Sequence, residues 1–71
     1  MMLVMRPNTN ASTRDRWPWR VDLPDQASAA LALGAQIWLD RHAPDQHRPV
    51  LSGWLLADRE LAFEMVITCS P

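Results

Sequence analysis

Hydrophobic and polar residues alternate along the segment RDRWPWRVDL, which spans residues 14–23. The apolar positions of this alternation are Trp17, Trp19, Val21 and Leu23. A period of two residues is typical of a strand with one buried face, so the pattern predicts a strand whose tryptophans point into the core and whose Arg16 and Arg20 point outward. Pro18 lacks the N–H that a strand donates to its neighbour, which predicts that this strand lies at a sheet edge, or at least lacks a partner on one side at that point.

The period changes to that of a helix in the segment LPDQASAALALGAQIWLDRH, residues 23–42. Pro24 suits the first helical turn, and Asp25 suits either the N-cap or the positive end of the helix dipole. The predicted inward face consists of Ala27, Ala30, Leu31, Gly34, Ile37 and Trp38. Because small residues line the centre of this face, we expect the helix to lie close to a sheet. That packing would offset the cost of about 1 kcal/mol for Gly34 in a helix.

Two further apolar segments, VLSGWLLA (residues 50–57) and LAFEMVITC (residues 61–69), are predicted to form a hairpin joined by DRE. Pairing across that turn places toward the core Val50, Ser52, Trp54, Leu56, Leu61, Phe63, Met65 and Ile67. The predicted order is β-α-β-β, an α+β class: a small single domain with one amphipathic helix packed on an antiparallel or mixed three-stranded sheet. Residues 1–15 form either a flexible N-terminal segment or a short edge strand, which would be an extra strand, and residues 16–71 form the domain.

A single helix covers only one face of the predicted sheet, so the other face is expected to meet a partner. The candidate partner-binding residues are the apolar Leu51, Leu55 and Val66, the hairpin acids Asp58, Glu60 and Glu64, and the outward Arg16 and Arg20. These residues favour a non-enzymatic protein–protein interaction module. A homodimer that forms through the same face is a variant of this hypothesis.

Charge is distributed unevenly along the 71 residues, whose net charge is -1. Residues 1–20 contain four arginines against Asp15, a charge of +3, whereas residues 21–71 contain three arginines against seven acids, a charge of -4. The acidic body argues against direct nucleic-acid binding. A nucleic-acid-binding module that uses Arg14, Arg16 and Arg20 is the alternative hypothesis. All seven basic residues are arginine, which indicates a GC-rich bacterial or phage genome.

Residues that could carry catalysis or bind a metal are few. His42, Asp45 and His47 lie close together, but Pro44 interrupts them and their spacing matches no helix-face metal site, which favours a solvated loop. Cys69 is a nucleophile only if a histidine reaches it, and its position among inward-facing residues favours a small buried side chain. The sequence has no P-loop and no G-x-G-x-x-G motif. We therefore expect no enzymatic activity, no cofactor and no metal.

The remaining sequence features concern location and stability. One cysteine indicates a reducing compartment, the opening MMLVM is shorter than the apolar region of a signal peptide, and no run approaches the roughly 20 apolar residues of a membrane-spanning helix. We expect a cytoplasmic protein of a bacterial host cell without membrane contact. The core of so short a chain supplies only about 3–5 kcal/mol, so support from a partner is expected.

The β-α-β-β order, the chain length, the Ala-rich helix and the closing hairpin resemble the architecture of some small phage-encoded inhibitors, including certain anti-CRISPR proteins. The resemblance is one of architecture and size without a shared motif, so it assigns no role to any residue. It implies inhibition of a larger host nucleoprotein complex, whose basic groove the acidic residues would occupy. An accessory or adaptor subunit of a bacterial complex is the alternative.

Overall fold

The computed structural model describes residues 2–70, which form two helices and one four-stranded sheet. In chain order the elements are β1 (Val4–Pro7), β2 (Trp19–Asp22), α1 (Ala29–His42), β3 (His47–Val50), β4 (Gly53–Leu56) and α2 (Arg59–Cys69). Neighbouring strands are antiparallel and lie in the order β1-β2-β4-β3. The predicted α+β class is confirmed, and the extra N-terminal strand is present as β1.

The last element is a helix, whereas the sequence pattern predicts a strand over residues 61–69. Asp58 is the N-cap of α2, and its side chain accepts a hydrogen bond of 3.2 Å from the backbone N–H of Glu60. Ala62, Met65 and Val66 recur at helical spacing and are the buried residues of α2. The strand prediction was wrong because this segment is apolar enough to satisfy both periods, while the cap favours the helix.

The hairpin of the sheet lies earlier in the chain than predicted. Strands β3 and β4 pair with Val50 opposite Gly53, so a turn at Leu51 and Ser52 divides the segment VLSGWLLA. Ser52 has a φ of 67°, in the left-handed region that a tight turn requires. Residues 47–49 belong to β3, whereas the sequence pattern begins a strand only at residue 50.

Strand β2 is a strand as predicted, but it lies inside the sheet. It pairs with β1 on one side and with β4 on the other, so the prediction of an edge strand was wrong. Pro18 directly precedes β2, where its missing N–H costs no bond of the ladder. Trp17 is buried and Trp19 packs against the core, as the alternation predicts.

Asn8 holds the segment between β1 and β2 in place. This buried side chain donates from Nδ2 to the carbonyl of Trp17 at 2.7 Å and to Oγ1 of Thr13 at 3.0 Å, and its Oδ1 accepts from the N–H of Asn10 at 3.1 Å. Such side-chain bonds to the backbone are typical of asparagine in turns.

Helix α1 begins later than the sequence pattern predicts. Ser28, not Asp25, is the N-cap, and its Oγ accepts a hydrogen bond of 3.1 Å from the N–H of Leu31. Serine is among the preferred N-cap residues because its hydroxyl satisfies one of the free N–H groups of the first turn.

The buried face of α1 is rotated relative to the predicted one. Ala35 and Leu39 are the buried residues of α1, whereas Gly34 and Ile37 are exposed. Of the predicted inward positions, Trp38 is one that does pack against the core. The small-residue face therefore points largely to solvent, and close approach to the sheet is not what accommodates Gly34.

Both helices cover the same face of the sheet. Val21, Trp54 and Leu56, which alternate along the two central strands, join one core cluster with buried residues of α1 and α2. Helix α2 packs on β1, β2 and β4, and α1 packs against α2. The opposite face of the sheet, which we call the open sheet face, is covered by neither helix.

Candidate functional site

The outer side of α2 presents apolar side chains to solvent. Phe63 and Ile67, one helical turn apart, are 59% and 60% exposed. Glu60 and Glu64 are exposed beside them, and Arg59, Glu60, Phe63 and Glu64 line one open depression. We call Glu60, Phe63, Glu64 and Ile67 the α2 surface. It combines two apolar side chains with two acids, and the basic Arg59 lies at its edge.

A second apolar pair lies on the outer side of α1. Leu33 and Ile37 are also one turn apart and remain 62% and 43% exposed. Single exposed apolar residues are common on proteins. Exposed apolar pairs on both helices are unusual for a surface that contacts only solvent. The helix layer is therefore a candidate interaction surface.

The open sheet face carries three arginines in a single row. Arg6 pairs with Arg20, Arg20 pairs with Leu55, and Leu55 pairs with Arg48. These four residues alternate with the core-facing residues of their strands, so they point away from the helices. Neighbouring strands are about 4.8 Å apart, so the row spans about 14 Å. We call Arg6, Arg20 and Arg48 the arginine row.

Asp22 lies beside this row and pairs with two of its members. Its Oδ2 is 2.6 Å from Nε of Arg6, and its Oδ1 accepts a hydrogen bond from Nε of Arg20. Like charges directly opposite each other are destabilising, and the shared carboxylate offsets that repulsion. Nη2 of Arg20 donates to the carbonyl of Leu51 at 3.3 Å, whereas Arg48 makes no ion pair with any described residue.

The three apolar candidates from the sequence do not share a surface. Leu51 lies in the turn between β3 and β4 and is 91% exposed. Leu55 is 4% exposed, between Arg20 and Arg48, whose aliphatic stems are suited to covering it. Val66 is 9% exposed on the inward side of α2. The separation arises because residues 59–69 form a helix, which turns Val66 toward the core.

The structure brings two of the charged candidates together. Glu60 and Glu64 both belong to the α2 surface, whereas Asp58 caps the helix that carries them. Arg20 belongs to the arginine row, and Arg16 lies in the segment before β2 with its guanidinium carbon 5.1 Å from the centre of an adjacent tryptophan ring. The eight candidates thus divide among several places on the molecule.

Sequence reasoning missed Phe63 and Ile67 as surface residues, because it placed them in the core of a strand. It also did not assign Arg6 and Arg48 to a common face, because β1 and β3 were not defined. The signal for the first pair was present: Asp58 as an N-cap, followed by apolar residues at helical spacing.

His47 has a structural role that uses both of its ring nitrogens. Its Nδ1 donates to the carbonyl of Ala43 at 2.7 Å, and its Nε2 accepts from the amide of Gln36 at 3.1 Å. The same amide group accepts a hydrogen bond of 2.7 Å from Nε1 of Trp54. These bonds attach α1 to β3 and β4. Within residues 2–70, no three His, Cys, Asp or Glu side chains are grouped to hold a metal ion.

Cys69 lies half-buried at the end of α2, next to Trp38 and Gly34 in a depression between the helices. Burial raises the pKa of the Cys69 thiol. A raised pKa leaves less thiolate at neutral pH, and the thiolate is the nucleophile. This environment favours a packing role for Cys69 over a catalytic one.

Comparison of the chain with protein-family models, curated proteins and solved structures finds no match. Neither helix in the described part of the chain is both long and apolar enough to cross a membrane. The functional conclusion therefore rests on the chemistry of the surfaces themselves.

Proposed function

We propose that this chain is a non-enzymatic protein-binding module that docks through the α2 surface onto a protein with an apolar cleft bordered by basic residues. The observation that carries the proposal is the pair Phe63 and Ile67, each more than half exposed one helical turn apart, with the exposed acids Glu60 and Glu64 on the same helix. Burying both side chains would contribute about 2–4 kcal/mol. Glu60 and Glu64 would select a basic partner and accelerate encounter with it.

The binding mode is that of a helix in a groove, in which side chains one turn apart enter a hydrophobic cleft. Helix α2 is held in the fold by Ala62, Met65 and Val66, which are buried on its opposite side. It therefore reaches the partner already folded, and little conformational entropy is lost on binding.

Two particular roles fit such a module. As an inhibitor, the chain would place its acids in the basic groove of a host nucleoprotein complex; as an adaptor, it would join the subunits of a bacterial complex. The element order here is β-β-α-β-β-α, which departs from the β-α-β-β order on which the resemblance to phage inhibitors rests. A competition experiment with added nucleic acid distinguishes the two roles. Nucleic acid is expected to displace an inhibitor from the basic groove of its target, whereas an adaptor is expected to stay bound.

The proposal is tested by replacing the apolar centre of the α2 surface. The double variant Phe63→Gln and Ile67→Gln keeps good helix formers at both positions, and Leu51→Gln is the control because Leu51 is exposed in the turn between β3 and β4, outside both helices. Immobilised wild-type and control proteins are expected to retain the same bacterial protein, and the double variant to bind it more than tenfold more weakly. Equal retention by all three proteins would contradict the proposal.

A further inference from the structure

We propose that the open sheet face binds the phosphodiester backbone of nucleic acid through the arginine row. This inference is independent of the protein partner proposed above, because it concerns the face of the sheet that the helices do not cover. The structure brings together arginines that are far apart in the sequence: Arg6 and Arg20 from the basic first part of the chain, and Arg48 from the acidic remainder.

The two sides of the molecule differ in charge. On the open sheet face, Arg6, Arg20 and Arg48 stand against Asp22 alone, which gives +2. The two helices contain two arginines against three acids, which gives -1. The net charge of the whole chain does not reveal that positive charge lies on the sheet side and negative charge on the helix side. A polyanion would be attracted to the sheet side.

The arginine side chains have donors left for a ligand. Arg6 and Arg20 contact Asp22 through Nε, and Nη2 of Arg20 donates to the carbonyl of Leu51, which leaves Nη1 of Arg20 and both Nη groups of Arg6 outside the described ion pairs and hydrogen bonds. The whole guanidinium of Arg48 is free of such pairing among residues 2–70. A guanidinium matches a phosphate through two parallel hydrogen bonds, which makes arginine the usual residue for phosphate recognition.

The composition of this face favours phosphate over an acidic protein. Protein interfaces depend on apolar or aromatic anchors, whereas Leu55 within the row is buried and Val4, which is 51% exposed on the same face of β1, is a single aliphatic side chain. No aromatic residue occupies the row either, so the face offers no platform on which bases could stack. Contacts to the backbone alone predict binding that is independent of sequence and strongly dependent on salt.

The proposal is tested by fluorescence anisotropy with three labelled probes, namely a 20-base-pair DNA duplex, its single strand and a polyglutamate peptide. Three phosphate contacts predict a slope of log K against log salt concentration of about -2.7 for the duplex and about -2 for the single strand. Arg48→Gln is expected to make the duplex slope shallower by about 0.9. The matched control is Arg41→Gln, which removes the same charge from the exposed last turn of α1.

Binding of either DNA form with these slopes, reduced by Arg48→Gln and not by Arg41→Gln, supports the proposal. Three results would overturn it: no DNA binding at low salt, equal effects of the two variants, or polyglutamate binding as tight as DNA binding. Arg48 is exposed at the sheet edge, so its variant is expected to fold, and circular dichroism checks this before binding is measured.

Discussion

The two glycines of this chain have opposite requirements for space. A Cβ at Gly34 would meet no atom within 4 Å, on the exposed side of α1. A Cβ at Gly53 would clash with the carbonyl oxygen of Val21 on the neighbouring strand. Gly34 therefore lowers the stability of the helix and allows no closer packing in return. Gly53 is required because β2 and β4 approach each other closely.

Gly34→Ala is expected to raise the free energy of unfolding by about 1 kcal/mol, because alanine is the better helix former. Gly53→Ala is expected to lower it by about 1–3 kcal/mol, because the strands must move apart. Urea denaturation of both variants measures the two effects. A loss of stability in Gly34→Ala would show that α1 packs through its predicted small-residue face after all.

For single residues, the sequence predicted correctly which side chains point into the core wherever apolar and polar residues alternate strictly. Val21 is fully buried and Arg20 points to the open sheet face, as the period of two requires. The orientation of α1 was predicted less well. Every position from Ala29 to Ala35 is alanine, leucine or glycine, so the first two turns do not define a single inward face, and the contact with α2 and the sheet selects Ala35 instead of Ile37.

Among the elements, α2 was the hardest to predict and matters most for function. Its residues satisfy a strand pattern through Leu61, Phe63 and Met65, and a helix pattern through Ala62, Met65 and Val66. Periodicity cannot choose between them when so few polar residues interrupt the segment. The N-cap decides locally, and packing on the sheet fixes which side of the helix is buried.

The hairpin was misplaced for a different physical reason. A two-residue turn is usually signalled by Asn-Gly or Asp-Gly, and here Leu51 and Ser52 occupy it. Ser52 adopts a positive φ that serine rarely uses. Because the turn lacks this signature, residues 47–49 of β3 were assigned to the preceding loop and Val50 was assigned to the same strand as β4.

Removing the cap of α2 tests the assignment of this helix. Asp58→Ala is expected to lower the free energy of unfolding by about 1 kcal/mol, since the N–H of Glu60 loses its acceptor. Asp45→Ala removes the same charge from an exposed turn and is expected to change stability by less than about 0.5 kcal/mol. Equal effects of the two variants in urea denaturation would contradict a cap at Asp58.

The whole molecule has two chemically different sides. The helix layer presents exposed apolar pairs, which on α2 are accompanied by Glu60 and Glu64, and the open sheet face presents the arginine row. Neither side could be predicted from the sequence, because each depends on which residues the strand order and the second helix place together. Leu55 and Val66 illustrate this, since both are apolar and neither is available to a partner.

Site-specific photo-crosslinking in cells of the native host tests whether a protein docks on the α2 surface. A photoreactive phenylalanine analogue replaces Phe63 in one variant and Leu51 in another, both of which are exposed side chains. We expect irradiation to give a discrete adduct with one protein from position 63, and none from position 51. The same adducts from both positions, or none from position 63 in the native host, would contradict the account.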